Sequence, residues 1–117
     1  MANFKRAFFR CYTDAASNLT VDLLIDDRRR WVEKVPTAGW WGTVKSNNIW
    51  PFILYEDGKV DFGNTLEAPT EGSDRFASLE ISERILAVGE RFQFRYDEQY
   101  LMVLEQLTDL TELPNVF

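Results

Sequence analysis

The sequence predicts a mainly β protein, a single small antiparallel barrel or sandwich of about eight strands spanning residues 1–117. Three observations predict it. Aromatic residues make up 15% of the chain and nine of them are Phe, a bias that suits a pleated, half-buried surface. Short runs alternate apolar with polar residues and are bounded by Gly, Pro, Asn and Asp, which is strand punctuation. Finally, Asp57-Gly58 is the dipeptide that a two-residue hairpin turn prefers, because both of its positions take positive φ. At 117 residues one core suffices, since a chain of that size buries roughly two thirds of its unfolded surface. The alternative architecture is an α+β roll with one helix at residues 4–13.

That alternative arises in the opening stretch. Phe4, Ala7, Phe8, Cys11 and Tyr12 fit helical spacing, while the concentration of β-favouring aromatics argues for a strand. "LTVDLLID" is clearer: Leu19, Val21, Leu23 and Ile25 alternate against Thr20, Asp22 and Asp26. Residues 26–35 read either as a returning strand with Trp31 and Val35 on one face, or as a helical turn capped by Asp26 and stopped by Pro36. In "PFILYEDGKVDFG" a two-residue turn pairs Glu56 with Lys59, Tyr55 with Val60 and Ile53 with Phe62, and so gathers Ile53, Tyr55, Val60 and Phe62 on one face. Pro51 sits where a strand can begin. Residues 76–82 read as a strand carrying Leu79 and Ile81, and the next connection turns on Gly89. Phe92, Phe94 and Tyr96 then alternate, and a turn at Asp97-Glu98 sets Phe94 against Leu101 and Phe92 against Val103. "GNTLEAPTEGSD" is one long polar loop.

The composition excludes much chemistry. The chain has no histidine, which removes the commonest general base at neutral pH, the Ser-His and Cys-His nucleophiles and most transition-metal sites. Its single cysteine, Cys11, can form neither an internal disulfide nor a thiolate cage, and no cofactor or metal is expected. Nineteen carboxylates leave a two-carboxylate mechanism open, with Asp22 and Asp61 standing on apolar strands, but no facing pair can be named. None of the six glycines builds a phosphate-cradling loop or a dinucleotide fingerprint. Gly39-Trp40-Trp41 contains the Gly-x-Trp that opens the first strand of lipocalin and fatty-acid-binding barrels. Here 38 residues precede it, and the pattern does not place the chain in that group.

The net charge is −6, and it is unevenly distributed along the chain. Residues 1–50 carry eight basic and five acidic residues, whereas residues 51–117 carry five basic and fourteen acidic. An acidic chain repels phosphate backbones, so no nucleic acid is expected as a partner and a basic protein fits better. The first residues, Met1-Ala2-Asn3-Phe4-Lys5-Arg6, hold no apolar run suited to a signal or a membrane span; a cytoplasmic protein with no membrane partner is expected.

Three of the four tryptophans, Trp40, Trp41 and Trp50, fall within eleven residues. Neighbours on a strand point to opposite faces, so Trp40 and Trp41 cannot share one core, and whichever lies outside marks a contact surface. Trp50, with Asn47 and Asn48 in the preceding loop, completes the candidate site. Arg28 and Arg30 beside Trp31 add a second cluster of contact residues. Together these features imply a non-catalytic binding module, of the inhibitor or immunity type, that holds a basic partner through acidic and aromatic surface. The alternatives are a small barrel binding an apolar ligand, a carboxylate-dependent enzyme, and a homo-oligomer formed through the tryptophan face.

Overall fold

The computed structural model describes residues 2–43, 48–63 and 75–110. Eight strands run in chain order: β1 (Asn3–Cys11), β2 (Leu19–Ile25), β3 (Thr37–Thr43), β4 (Asn48–Leu54), β5 (Lys59–Asp61), β6 (Phe76–Leu79), β7 (Arg91–Tyr96) and β8 (Glu98–Asp109). Each pairs antiparallel with the next, and β8 returns to β1, so the sheet closes into a barrel. Closure leaves no edge along the β1–β8 seam. We call the end where β1 begins the lower end, and the end where it finishes the upper end.

Residues 4–13 do not form a helix. β1 is extended through Cys11 and hydrogen-bonded on both sides, with Ala7 opposite Val21 on β2 and Leu107 on β8. Its inward set is Ala7, Phe9 and Cys11, all at most 2% exposed, a period of two; the helical set of Phe4, Ala7, Phe8 and Cys11 is divided between the two faces. Between Phe8 and Phe9 the register against β8 shifts, from Gln106 to Leu104, leaving Glu105 as the extra residue of a bulge. Such a bulge adds the local twist that a closing strand needs.

β2 follows its alternation, with Leu19, Val21, Leu23 and Ile25 buried. Residues 26–35 are neither strand nor helix. They turn tightly from Asp26 to Arg30 and are tied down by single bridges, Ile25 of β2 to Trp31 and Arg30 to Ile85 in the connection between β6 and β7. Trp31 is buried while Val35 is exposed, so the two do not share a face. The chain from Ile81 to Leu86 packs against this turn, with Leu86 N donating to Arg29 O at 2.8 Å, and the buried side chains of Trp31, Ile81 and Leu86 plug the lower end. β6 stops at Leu79, short of the strand expected to Ser82, because the chain turns back there with Ile81 N donating to Leu79 O. Gly89 does turn the connection to β7, at φ 96°.

Both C-terminal hairpins pair one residue away from the expected register. At the first, Asp57 and Gly58 take positive φ, 66° and 81°, as that turn requires. However, Tyr55 N donates to Lys59 O, and Leu54 faces Val60, so Glu56 is an extra residue on the first arm. A slip of one residue reverses a strand's faces. Phe52 and Leu54 therefore point inward beside Val60 and Phe62, while Ile53 and Tyr55 point out, each 39% exposed. At the second hairpin only Asp97, at φ 61°, separates Tyr96 from its partner Glu98. Phe94 then faces Tyr100, Phe92 faces Met102, and the buried residues of β8 are Met102 and Leu104 rather than Leu101 and Val103.

The interior is filled by large side chains. Phe9 and Phe92 meet edge to face, with ring centroids 5.6 Å apart, the arrangement that aromatic quadrupoles favour. Gly39 lies opposite Phe52, where a Cβ would come within 2.5 Å of the Thr20 carbonyl oxygen and 2.8 Å of both the Phe52 ring and Val21 Cβ; the neighbouring backbone and the ring occupy the space a side chain would take.

Candidate functional site

β3 brings the two adjacent tryptophans to opposite sides of the barrel wall. Trp41 points in and is 7% exposed, and its Nε1 donates to Ser17 O at 2.9 Å. Ser17 belongs to a 3-10 turn, Ala15–Ser17, which Asp14 caps by accepting from Ala16 N. Five rings surround the Trp41 indole: Phe94 at 5.1 Å, Tyr96 at 5.4 Å, Tyr100 at 5.5 Å, Phe62 at 6.2 Å and Trp50 at 6.4 Å. Trp50 is the cross-strand partner of Trp41 and packs, half-buried, on the core. Two of the three clustered tryptophans therefore fill the upper end. Burial, aided by the neighbouring Glu98 carboxylate, pushes the Tyr100 hydroxyl up to about 12.

Trp40 points outward and is only partly covered. The Arg6 guanidinium lies over its ring, 5.6 Å from the centroid, a contact worth about 0.5–1 kcal/mol at an exposed site. Arg6 is in turn gripped by Asp22 across the β1–β2 pair, Nε to Oδ1 at 2.9 Å and Nη2 to Oδ2 at 3.2 Å. This bidentate clamp fixes the indole's neighbour. Opposite Trp40 stands Pro51, exposed on β4, and beyond it the same outer row continues through Ile53 and Tyr55. The row ends at the exposed Glu56 and Asp57 of the turn, where Glu33 Oε1 accepts from Asp57 N at 2.9 Å. A shallow groove of about 240 Å³ runs beside this stripe, lined by Ala38, Pro51, Ile53 and Asp61 among others.

The other expected site residues lie elsewhere. Arg28 and Arg30 are exposed on the turn at the lower end, where Asp26 Oδ1 accepts from Arg28 N at 2.8 Å and Arg30 N at 3.0 Å; they do not join the tryptophans. Asn47 lies outside the described residues. Asn48 begins β4 opposite Thr43, and only its backbone is described. Pro51, Ile53 and Tyr55 were missed as surface residues because the expected register turned Ile53 and Tyr55 inward. Their signal was present in the phase of Trp50-Pro51-Phe52, where two aromatics flank a proline that a buried central strand position disfavours.

The two carboxylates that stand out on apolar strands, Asp22 and Asp61, each grip an arginine. Asp22 holds Arg6. Asp61 accepts from Arg75, Nε to Oδ1 at 2.7 Å and Nη2 to Oδ2 at 3.0 Å, and from Gly63 N at 2.8 Å. The Arg75 bonds, helped by the Gly63 amide, hold the Asp61 carboxyl below the usual carboxylate range, and the backbone amides of Arg30 and Arg28 do the same for Asp26. A carboxyl lowered on folding binds protons more weakly in the native state, so its contribution is complete above the unfolded value of about 3.9 and is lost as pH falls through the lower native value. Unfolding by urea is therefore expected to become easier as pH falls below about 4. The Asp61→Asn variant is expected to show a smaller loss over that window, and an unchanged loss would remove the pair from the account.

Among the described residues no three His, Cys, Asp or Glu side chains stand close enough to hold a metal ion, and no helix is long and apolar enough to cross a membrane. Cys11 is buried, with its sulfur 3.9 Å from Thr13 Oγ1. Compared with known proteins, the chain matches no family model, no curated protein and no solved structure.

Proposed function

We propose that this chain is a non-catalytic, cytoplasmic protein-binding module that holds a basic partner along the outer face of β3 and β4. The observation that carries the reading is the outward row Trp40, Pro51, Ile53 and Tyr55, which runs into the acidic turn at Glu56 and Asp57. Apolar anchors ending in carboxylates suit a partner segment whose own apolar residues are followed by Lys or Arg, with the charges setting orientation and encounter rate. Trp40 is preorganised by Arg6 and Asp22, so little side-chain freedom is lost when a partner covers it. The net charge of −6 steers basic proteins toward the molecule. In addition, the ring contacts that fill the interior favour an outer surface over an interior ligand site.

The test compares partners captured by the native chain with those captured by Trp40→Ser and by Ile53→Ser. A basic protein retained by the native chain, released by moderate salt and held at least tenfold more weakly by both variants, is the expected result. Capture that is identical for all three chains would sink the reading. Both variants are expected to keep the native melting temperature within about 5 °C, since each removes a partly exposed side chain and a surface change is worth about 0.5–1 kcal/mol.

A further inference from the structure

The lower end holds a second feature, independent of the β3–β4 stripe. Between the starting strand β1, the ends of β2 and β8 and the segment from Leu86 to Val88 lies a groove of about 590 Å³, within the size range of small-molecule sites. Ala87, Val88 and Leu107 give it an accessible apolar lining, while Ile25 and Leu86 are buried, and Lys5 and Arg29 bring two cations to it. Asp26 and Asp27 also line it, and Asp26 Oδ1 already accepts two backbone amides.

Arg29 stands in an unusual conformation for its residue type. Its φ is 63°, the left-handed region that glycine and asparagine enter most readily. Its backbone completes a tight turn, with Arg29 N donating to Asp26 O at 3.0 Å and Arg29 O accepting from Leu86 N. Glycine would satisfy both bonds without the strain. The arginine adds a guanidinium at the groove beside Lys5, and backbone strain of this kind gathers at ligand sites.

We propose that this groove binds a small amphipathic monoanion, its acidic group held by Lys5 and Arg29 and its apolar body laid on Ala87, Val88 and Leu107. The two aspartates set the limit on charge: with Lys5 and Arg29 they leave the lining neutral overall, so a single negative charge is tolerated where it meets the two cations, whereas a polyanion is repelled. A carboxylate on a short alkyl chain meets these requirements; inorganic phosphate and an uncharged alcohol do not.

The experiment is an amide NMR titration of the full chain with decanoate, with decanol and inorganic phosphate as parallel probes. Saturable shifts centred on Ala87, Val88 and Leu107 are expected with decanoate alone, weakened at least tenfold in Arg29→Gly and in Lys5→Gln. Arg29→Gly is expected to keep or raise the melting temperature, which separates loss of binding from loss of fold; if it lowers it, Lys5→Gln decides. Decanoate shifts that are absent or lie elsewhere, decanol or phosphate binding as tightly as decanoate, or native affinity in both variants would overturn the proposal.

Discussion

Replacing Trp41 with alanine is expected to cost about 3–5 kcal/mol, the range for truncating a buried Trp or Phe. The indole touches five other rings and donates its N–H to Ser17 O. Truncation therefore opens a cavity at the upper end and removes the donor that ties the 3-10 turn to β3. Small domains have about 5–15 kcal/mol in total, so this one change consumes roughly a fifth of it or more. Trp40→Ala, one residue away, is expected to cost about 1 kcal/mol, because that ring is already partly solvated and loses mainly its contact with Arg6. Urea unfolding of the two variants measures the contrast. Equal losses would mean that the two rings do not lie on opposite sides of the wall.

Gly58→Ala is expected to be nearly as damaging, at about 3 kcal/mol. Two costs coincide at this position. Its φ of +81° is strained for any residue with a Cβ, by about 1–2 kcal/mol. A Cβ there would also run into the backbone carbonyl of Leu79, which cannot swing aside as a side chain could, and overpacking of this kind adds about 1–3 kcal/mol. Gly89→Ala isolates the first cost, since its φ is +96° and, among the described residues, nothing lies within 4 Å of the added atom. Equilibrium unfolding should rank native above Gly89→Ala and Gly89→Ala above Gly58→Ala. If the two variants lose the same amount, the Leu79 carbonyl is not the obstacle.

The barrel could be read from the sequence where local pattern and burial agree. β2 needed only the alternation of Leu19, Val21, Leu23 and Ile25, and the opposed faces of Trp40 and Trp41 follow from strand geometry alone. Register was harder, because it depends on how many residues a turn consumes. Asp57-Gly58 marks the site of positive φ correctly, yet the extra Glu56 on one arm moves the pairing by one and sends Ile53 and Tyr55 outside. Because β4 carries apolar residues on both faces, its hydrophobic alternation alone could not reveal the error, and only Pro51, at a position a buried central strand disfavours, spoke against it. The candidate surface was therefore only half legible: strand geometry puts one of Trp40 and Trp41 outside without saying which, and the outward residues of β4 beside it could not be found. The groove at Lys5 and Arg29 left no local signal, since β1, β2, β8 and the Leu86 segment are separated by many residues and meet only in the closed barrel.

The β1–β8 seam has a consequence for how the molecule is made. Cys11 pairs with Met102 and Lys5 with Asp109, so the barrel's last wall joins residues about as far apart in sequence as this chain allows. Pairings of such long reach slow folding, because loop closure must be paid for before the contacts return anything. On the ribosome, β1 can pair with β2 early while its other edge stays open until β8 has been synthesised. That waiting edge carries Lys5, Arg6 and Arg10, and charges along an unpaired strand discourage association with another chain. Arg6 and Arg10, which end as neighbours of Trp40 and Glu105, thus also protect the nascent sheet before the barrel closes.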